Sequence, residues 1–317
     1  MHSPGHDGRQ PVQFSVIIPA YNSATTLAKA IESVLVQSWP AHEVIVVDDG
    51  SEDQTGDVAR EFGDRIRLIR QENQGVSIAR NRGAEFATGN WLAFLDADDW
   101  YYPERLRWHA EWIGEDPRLD FFTGDYEYRD AVDRLIDTSM TGHASGRAML
   151  EKAAGKERVI MEAAELEEFV ADHFGDTHTL SLPRDTFIRL GGYPQGFKVC
   201  EDVHFLARLC AESRRVGVIC RPMAVYRIHG ESATRRDPLK SQEYNVQTLL
   251  DLNERARSMP GYVRRGVARR LRSGRLNLAY SQLKAGNRAA AIRAVLPSLS
   301  ESPGWTSLRN FLSIVKG

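Results

Sequence analysis

Cysteine is scarce in this chain, with three residues, Cys200, Cys210 and Cys220, among 317. An odd count, with two of the three in apolar surroundings, argues against a disulfide framework and for reduced, buried thiols in a cytosolic protein. No zinc-ligand spacing is present either. Long hydrophobic runs are also missing: no apolar stretch approaches the roughly 18 residues needed to span a bilayer. The polar start, Met1 to Gln13, lacks the apolar segment of a signal peptide and is expected to be a disordered tail. These features predict a cytoplasmic chain that could still sit on the inner face of a membrane. Charge of either sign is not in excess, with 41 Lys and Arg against 43 Asp and Glu, so nothing points to a nucleic-acid partner. Two phosphate-binding motifs are absent as well, Gly-x-Gly-x-x-Gly after the first strand and Gly-x-x-x-x-Gly-Lys. If phosphates bind here, a metal must take the place of those glycine loops.

What the chain does contain is a repeating unit. Phe14 to Ile18, Val44 to Val47, Ile66 to Ile69 and Trp91 to Leu95 read as strands. Between them, helical spacing recurs at Leu27, Ile31, Val34 and Leu35, then over Asp53 to Phe62, then over Val76 to Phe86 with Ala79, Gly83 and Phe86 inward. Alternation of this kind predicts right-handed crossovers and a mainly parallel central sheet flanked by helices, an α/β fold. The acids after Leu95 are expected to emerge at the carboxyl edge of such a sheet, where open α/β folds place ligands. From Leu239 onward the pattern is helical to the end and includes one hairpin of the tetratricopeptide kind. The expected organisation is a tail over 1–13, a domain over 14–235 with halves at 14–100 and 101–235, and a helical region over 236–317. The charged stretch 129–176 reads as an insertion that shapes specificity.

Polar residues collect at the strand ends. Asp96 and Asp98, one residue apart after an apolar strand, can face one hard cation, Mg or Mn rather than Zn. The same residues also suit an Asp-rich turn before a helix near Pro103. Asp49 could accept a hydrogen bond from a base or ribose, or could close a turn. Pro19 stiffens the first loop, Tyr21 could stack on a base, and Asn22 could cap the following helix, although a structural turn explains them almost as well. Arg80 falls near a helix start that would favour an anion, unless it is simply solvated. Glu201 and Asp202 open a helix, where acids are electrostatically welcome. His229 at a strand end is either structural or a neutral-ring ligand. Eight arginines between Arg255 and Arg275 could face phosphates or an anionic membrane, or could form a solvated helix face. The last segment, Trp305 to Val315, is amphipathic and could dock on the domain, a partner or a membrane surface.

Pro19-Ala20-Tyr21-Asn22, Asp48-Asp49-Gly50-Ser51, Gly75-x-x-x-Ala79-Arg80-Asn81, Asp96-Ala97-Asp98-Asp99 and Glu201-Asp202, in this order, resemble the family 2 glycosyltransferases over about residues 14 to 230. The resemblance implies an A-type glycosyltransferase fold and an inverting, metal-dependent transfer of sugar from a nucleoside diphosphate to a hydroxyl, in surface polysaccharide or glycoconjugate synthesis. It assigns Pro19, Tyr21, Asn22, Asp49, Arg80 and Asp96 to the nucleotide, Asp98 and His229 to Mn or Mg, and Asp202 to the catalytic base. UDP-sugar is the default donor, and the acceptor is a saccharide or a lipid-linked sugar. The rival reading is a catalytically silent protein of the same fold that binds nucleotide sugar or acts as a scaffold.

Overall fold

The computed structural model describes residues 11–229, 237–301 and 303–316. Residues 1–10 of the expected tail, Gly230 and Ser232 beyond His229, and the 235/236 boundary lie outside the described residues. The first half follows the expected alternation: β1 (Phe14–Ala20), α1 (Leu27–Leu35), β2 (Glu43–Asp48), α2 (Thr55–Arg60), β3 (Arg67–Arg70), α3 (Val76–Phe86) and β4 (Trp91–Phe94). Then come β5 (Trp100–Tyr101), α4 (Arg105–Glu115), β6 (Phe121–Gly124), β7 (Glu127–Arg129) and β8 (Leu135–Thr138). The charged stretch 129–176 continues as α5 (Ser139–Gly142), α6 (Ala144–Ala153), β9 (Arg158–Glu162) and α7 (Ala163–Ala171). The domain closes with β10 (Ser181–Pro183), α8 (Arg184–Arg189), α9 (Glu201–Glu212), β11 (Arg215–Ile219) and β12 (Ala224–Arg227).

The main sheet has the order β3-β2-β1-β4-β10-β6-β11-β9. Its β3-β2-β1-β4 half is wholly parallel, whereas β10 runs antiparallel to both β4 and β6, and β9 runs antiparallel to β11. A smaller sheet, β5-β12-β7-β8, stands beside it. Strand side chains alternate between two cores: Ile17, Ile45 and Val47 face one, and Val16, Ile18 and Val46 face the other. Burial on both faces is what turns these strands into continuous apolar runs rather than alternating ones. Each fully buried Ile or Val contributes about 1.5–3 kcal/mol relative to exposure. Gly83 lets α3 lie on β1, since a Cβ there would sit 2.5 Å from Ile17 Cγ2. Phe86, expected inward, is 38% exposed at the end of α3. Its ring instead lies under Arg67, 4.6 Å from the guanidinium carbon.

The last third is helical as expected: α10 (Pro238–Arg255), α11 (Gly261–Lys284), α12 (Arg288–Val295), α13 (Ser298–Glu301) and α14 (Trp305–Lys316). Helix α11 packs against α7, and Gly266 permits the approach, a Cβ there meeting Glu167 O at 2.7 Å. Most of the arginine segment is paired: Arg255 with Asp251, Arg257 with Glu254, Arg265 with Glu167, Arg269 with Glu168 and Arg275 with Glu301. Among the described residues, no helix is long and apolar enough to cross a membrane.

Candidate active site

The site forms where the parallel strands end. After β4, the amide of Leu95 still donates to Ile17 O, and the chain then turns, Asp99 N bonding Asp96 O at 3.1 Å. That turn sends Asp96 and Asp98 into a cleft of about 390 Å³ and points Asp99 inward. Pro19, Tyr21, Arg80, Asp96, Asp98 and Asp202 all line this cleft. Four of the five motifs therefore converge on it, all but Asp48 to Ser51, and the acids at 98 and 202 share one cavity.

Arg80, only 3% exposed, is the hub. It donates to Asp96 Oδ1 at 2.6 Å and to Glu201 Oε1 at 2.8 Å, and lies over the Tyr193 ring at 5.0 Å. Burial alone would lower its pKa, but the two carboxylates outweigh that and hold it well above its ordinary value. Its Nε has no hydrogen-bond partner among the described residues. The guanidinium thus fixes Asp96 and the start of α9 relative to each other, which a solvated arginine would not do.

Asp98 reaches its partner across the two sheets. Asp99 Oδ1 accepts from the Arg227 amide at 2.9 Å, and β5 pairs antiparallel with β12. Those bonds bring the end of β12 to the acidic turn, and two residues on, His229 Nε2 lies 2.8 Å from Asp98 Oδ2. Both side chains are half-buried. Asp99 itself is sealed beside His178, whose Nδ1 lies 3.4 Å from Oδ2. Burial, then Asp98 and Asp96, pushes the Asp99 carboxyl well up, while burial takes His178 down to about 4.

Across the cleft, Cys200 adopts a left-handed conformation, φ +61°, and α9 begins with Glu201 and Asp202. Asp202 meets a residue that sequence reasoning passed over, Asp176. Burial first, then the charge and hydrogen bond of Asp176, pushes the Asp202 carboxyl up to about 7. Asp176 is raised as well, by burial. Its Oδ1 accepts from the Thr177 amide at 2.7 Å, opening the short helix Thr177–Thr179. His173 completes the group: ligand atoms of His173, Asp176 and Asp202 lie within 4.8 Å of one another, close enough to hold a cation. The signal in the sequence was an acid before Thr-His-Thr, which reads as an ordinary cap.

Two expected nucleotide contacts stand outside the cleft lining. Asp49 is buried, and its oxygens accept from Gln71 Nε2 at 2.7 Å, Gln74 N at 2.9 Å and Gly75 N at 2.8 Å. It therefore holds the loop that launches α3. Asn22 does not cap α1, whose N-cap is Thr26. With φ +49° it bridges loops instead, its Oδ1 accepting from Glu52 N and its own amide donating to Ser51 Oγ. Tyr21 beside it is 47% exposed at the cleft wall, free to stack.

Residues 15–161 match the model of Glycosyl transferase family 2. Over this stretch, just under half of its length, the chain is similar to that family. Among curated relatives, the uncharacterized glycosyltransferase YibD of Escherichia coli (strain K12) is 45% identical over 94 residues, 29% of this chain and 27% of its own length. An uncharacterized glycosyltransferase of Haemophilus influenzae (strain ATCC 51907 / DSM 11121 / KW20 / Rd) is 27% identical over 239 residues, 75% of this chain and 74% of its own. The putative glycosyltransferase EpsH of Bacillus subtilis (strain 168) is 29% identical over 226 residues, 70% of this chain and 62% of its own. The match thus spans from about a quarter to about three quarters of these family members' lengths. Among solved structures, Staphylococcus aureus TarS 1–349 in complex with UDP-GlcNAc superposes with a TM-score of 0.65 at 17% identity, covering 96% of this chain and 91% of that one. The mannosyltransferase PcManGT from Pyrobaculum calidifontis, in complex with GDP-Man and Mn2+, gives 0.58 at 17%, covering 98% and 81%. At such identities the likeness is one of fold.

Proposed function

We propose that this chain is an inverting glycosyltransferase that moves a sugar from a nucleoside-diphosphate donor, UDP-sugar first among them, to a hydroxyl of a saccharide or lipid-linked acceptor. The observation that carries the reading is the cleft that Asp98, Arg80 and Asp202 line together. Pro19, Tyr21, Asn22, Asp49, Arg80 and Asp96 form the nucleotide side: Tyr21 offers a ring face, while Asp49 and Asn22 shape its loops. Asp98 and His229 suit a divalent cation, Mn or Mg. Their donor atoms already approach to 2.8 Å, both remain partly open to solvent, and an oxygen with a neutral ring nitrogen is a fitting donor set. A bound cation would supply charge to stabilise the diphosphate as it leaves. The resolved complexes of TarS with UDP-GlcNAc and of PcManGT with GDP-Man and Mn2+ support that arrangement.

The protein's own residues do the rest. Arg80 keeps Asp96 fixed at the nucleotide side. Asp202, with its carboxyl near neutrality, takes the proton of the acceptor hydroxyl as it attacks the anomeric carbon, a contribution of roughly 100- to 10,000-fold. Attack from the face opposite the diphosphate inverts the centre. The product would belong to a surface polysaccharide or glycoconjugate. Peripheral membrane contact rests chiefly on the outer face of α14, where Trp305 is 74% exposed, because the arginine segment is largely paired. Sedimentation with anionic vesicles, compared with Trp305→Ser, tests that part.

The deciding experiment measures release of nucleoside diphosphate from UDP-sugars with Mn2+ and saccharide acceptors. Asp202→Asn is expected to retain UDP binding and lose transfer. Normal transfer by that variant places the base elsewhere, and UDP binding without release in the wild type favours the silent, binding-only protein.

A further inference from the structure

Deepening that reading, we infer that the acceptor carries an oxyanion, a phosphate or a carboxylate, and that Arg270 on α11 grips it in a cavity behind the catalytic loop. The cavity, about 380 Å³, lies between α6, α7, α10 and α11 and is lined by Glu168, Asp172, Asn245, Arg269 and Arg270 among others. Its two carboxylates are already engaged. Glu168 Oε2 accepts from Arg269 at 2.9 Å, while Asp172 Oδ2 accepts from the Ala144 amide at 2.8 Å and its Oδ1 lies 3.9 Å from His143. Arg270 differs from its neighbours. It is half-buried, yet it makes no ion pair or hydrogen bond with any described residue.

The planar fork of a guanidinium matches carboxylate and phosphate oxygens in pairs, and Arg270 keeps that fork uncommitted among the described residues. The cavity adjoins the reaction centre. Cys200 lines the cleft, and its thiol donates to Asn245 Oδ1, a cavity wall, at 3.1 Å. The two spaces are therefore one hydrogen-bonded side-chain pair apart. The Arg270 charge also reaches the base side of the cleft: after burial, it is the next cause holding His173 well below its ordinary value. It likewise opposes the burial and the Asp202 charge that push the Cys200 thiol up. On this proposal an acceptor with its hydroxyl at Asp202 reaches Arg270 past the Cys200 and Asn245 pair.

The test compares wild type, Arg270→Ala and Arg270→Lys. Glycerol 3-phosphate, glucuronate and, as the neutral control, glycerol are titrated at low salt by calorimetry, with UDP titrated in parallel. At least one anion is expected to saturate the wild type while glycerol does not. Arg270→Ala should weaken that binding by about tenfold or more and Arg270→Lys by less, with UDP affinity unchanged. In transfer, the preference for an anionic over a neutral acceptor should fall by a similar factor in Arg270→Ala, while hydrolysis of the UDP-sugar stays constant. If neither anion saturates the wild type, or if Arg270→Ala retains the affinity or the preference, the inference is overturned. Loss of UDP binding by the wild type would instead sink the donor assignment. Because Arg270 makes no hydrogen bond or ion pair with any described residue, its variants should melt as the wild type does, which separates a binding defect from misfolding.

Discussion

At the scale of single residues, the site is governed by carboxyls held partly out of water. Asp202 stands near 7 because burial and Asp176 both disfavour its charge, so transfer should rise with pH through about 7 as the base is freed. Asp176→Asn removes one of those causes and leaves burial, so the midpoint of the kcat/KM profile should move acid by about one unit. An unmoved midpoint would mean the two carboxyls do not interact. The same shift has a stability sign. The folded pKa lies above the ordinary 3.8, so the folded state holds the extra proton. The stabilisation is full below the ordinary value and is lost as pH rises through about 7. Asp202→Asn should therefore raise the melting temperature relative to wild type more at pH 8 than at pH 5. Arg80 makes the opposite case. Removing it strands Asp96 and buried Glu201, and breaking a buried pair in this way costs about 3–5 kcal/mol. Urea unfolding of Arg80→Ala should show a loss of that order, whereas an exposed pair such as Arg257 with Glu254 should cost under about 1 kcal/mol.

At the scale of elements, what matters is how one segment aims another. Asp99 was read as part of an acidic turn, but in the fold it ties the turn to β12 through the Arg227 amide and so delivers His229 to Asp98. Asp99→Asn keeps an acceptor for that amide, while Asp99→Leu does not. The leucine variant should weaken Mn2+ affinity, read by titration in the presence of UDP, about ten- to hundredfold, as loss of a supporting hydrogen bond behind a ligand does. Equal affinity in both variants would show that β12 is held by sheet pairing alone. This is also where the sequence stops being legible. Strands buried on both faces announce themselves as Val44 to Val47 or Trp91 to Leu95, and the acids at their ends follow. The partners of those acids do not, because they arrive from far along the chain. Asp176 meets Asp202, and Asn245 meets Cys200, with nothing local to mark them. Asp49 looked like a free ligand, yet it spends its lone pairs on the backbone of its own neighbourhood. Asn22 looked like a helix cap, but α1 starts four residues later than a cap there would require.

At the scale of the molecule, the helical region is part of how the loop before Asp202 is held. Thr248 Oγ1 donates to Val199 O at 2.9 Å, Asn245 accepts from Cys200, and His204 on α9 lies 3.0 Å from Asp251. Helix α10 thus supports the loop that ends in Asp202, although the match to the family model stops at residue 161. A fold closed in this way, with Pro19 and Asp96 on one side of a cleft and Asp202 on the other, should be tightened by a ligand that spans it. A ligand bound only by the folded state stabilises by about 2.7 kcal/mol at a hundredfold excess over Kd. For a chain of this size that corresponds to a rise of a few degrees in melting temperature. UDP with Mn2+ should produce that rise, UDP with a chelator a smaller one, and Mn2+ alone little, because Asp98 and His229 would offer a cation only two side chains. Equal shifts with and without the metal would mean that the nucleotide is held by protein groups only, and that the pairing of Asp98 with His229 is structural.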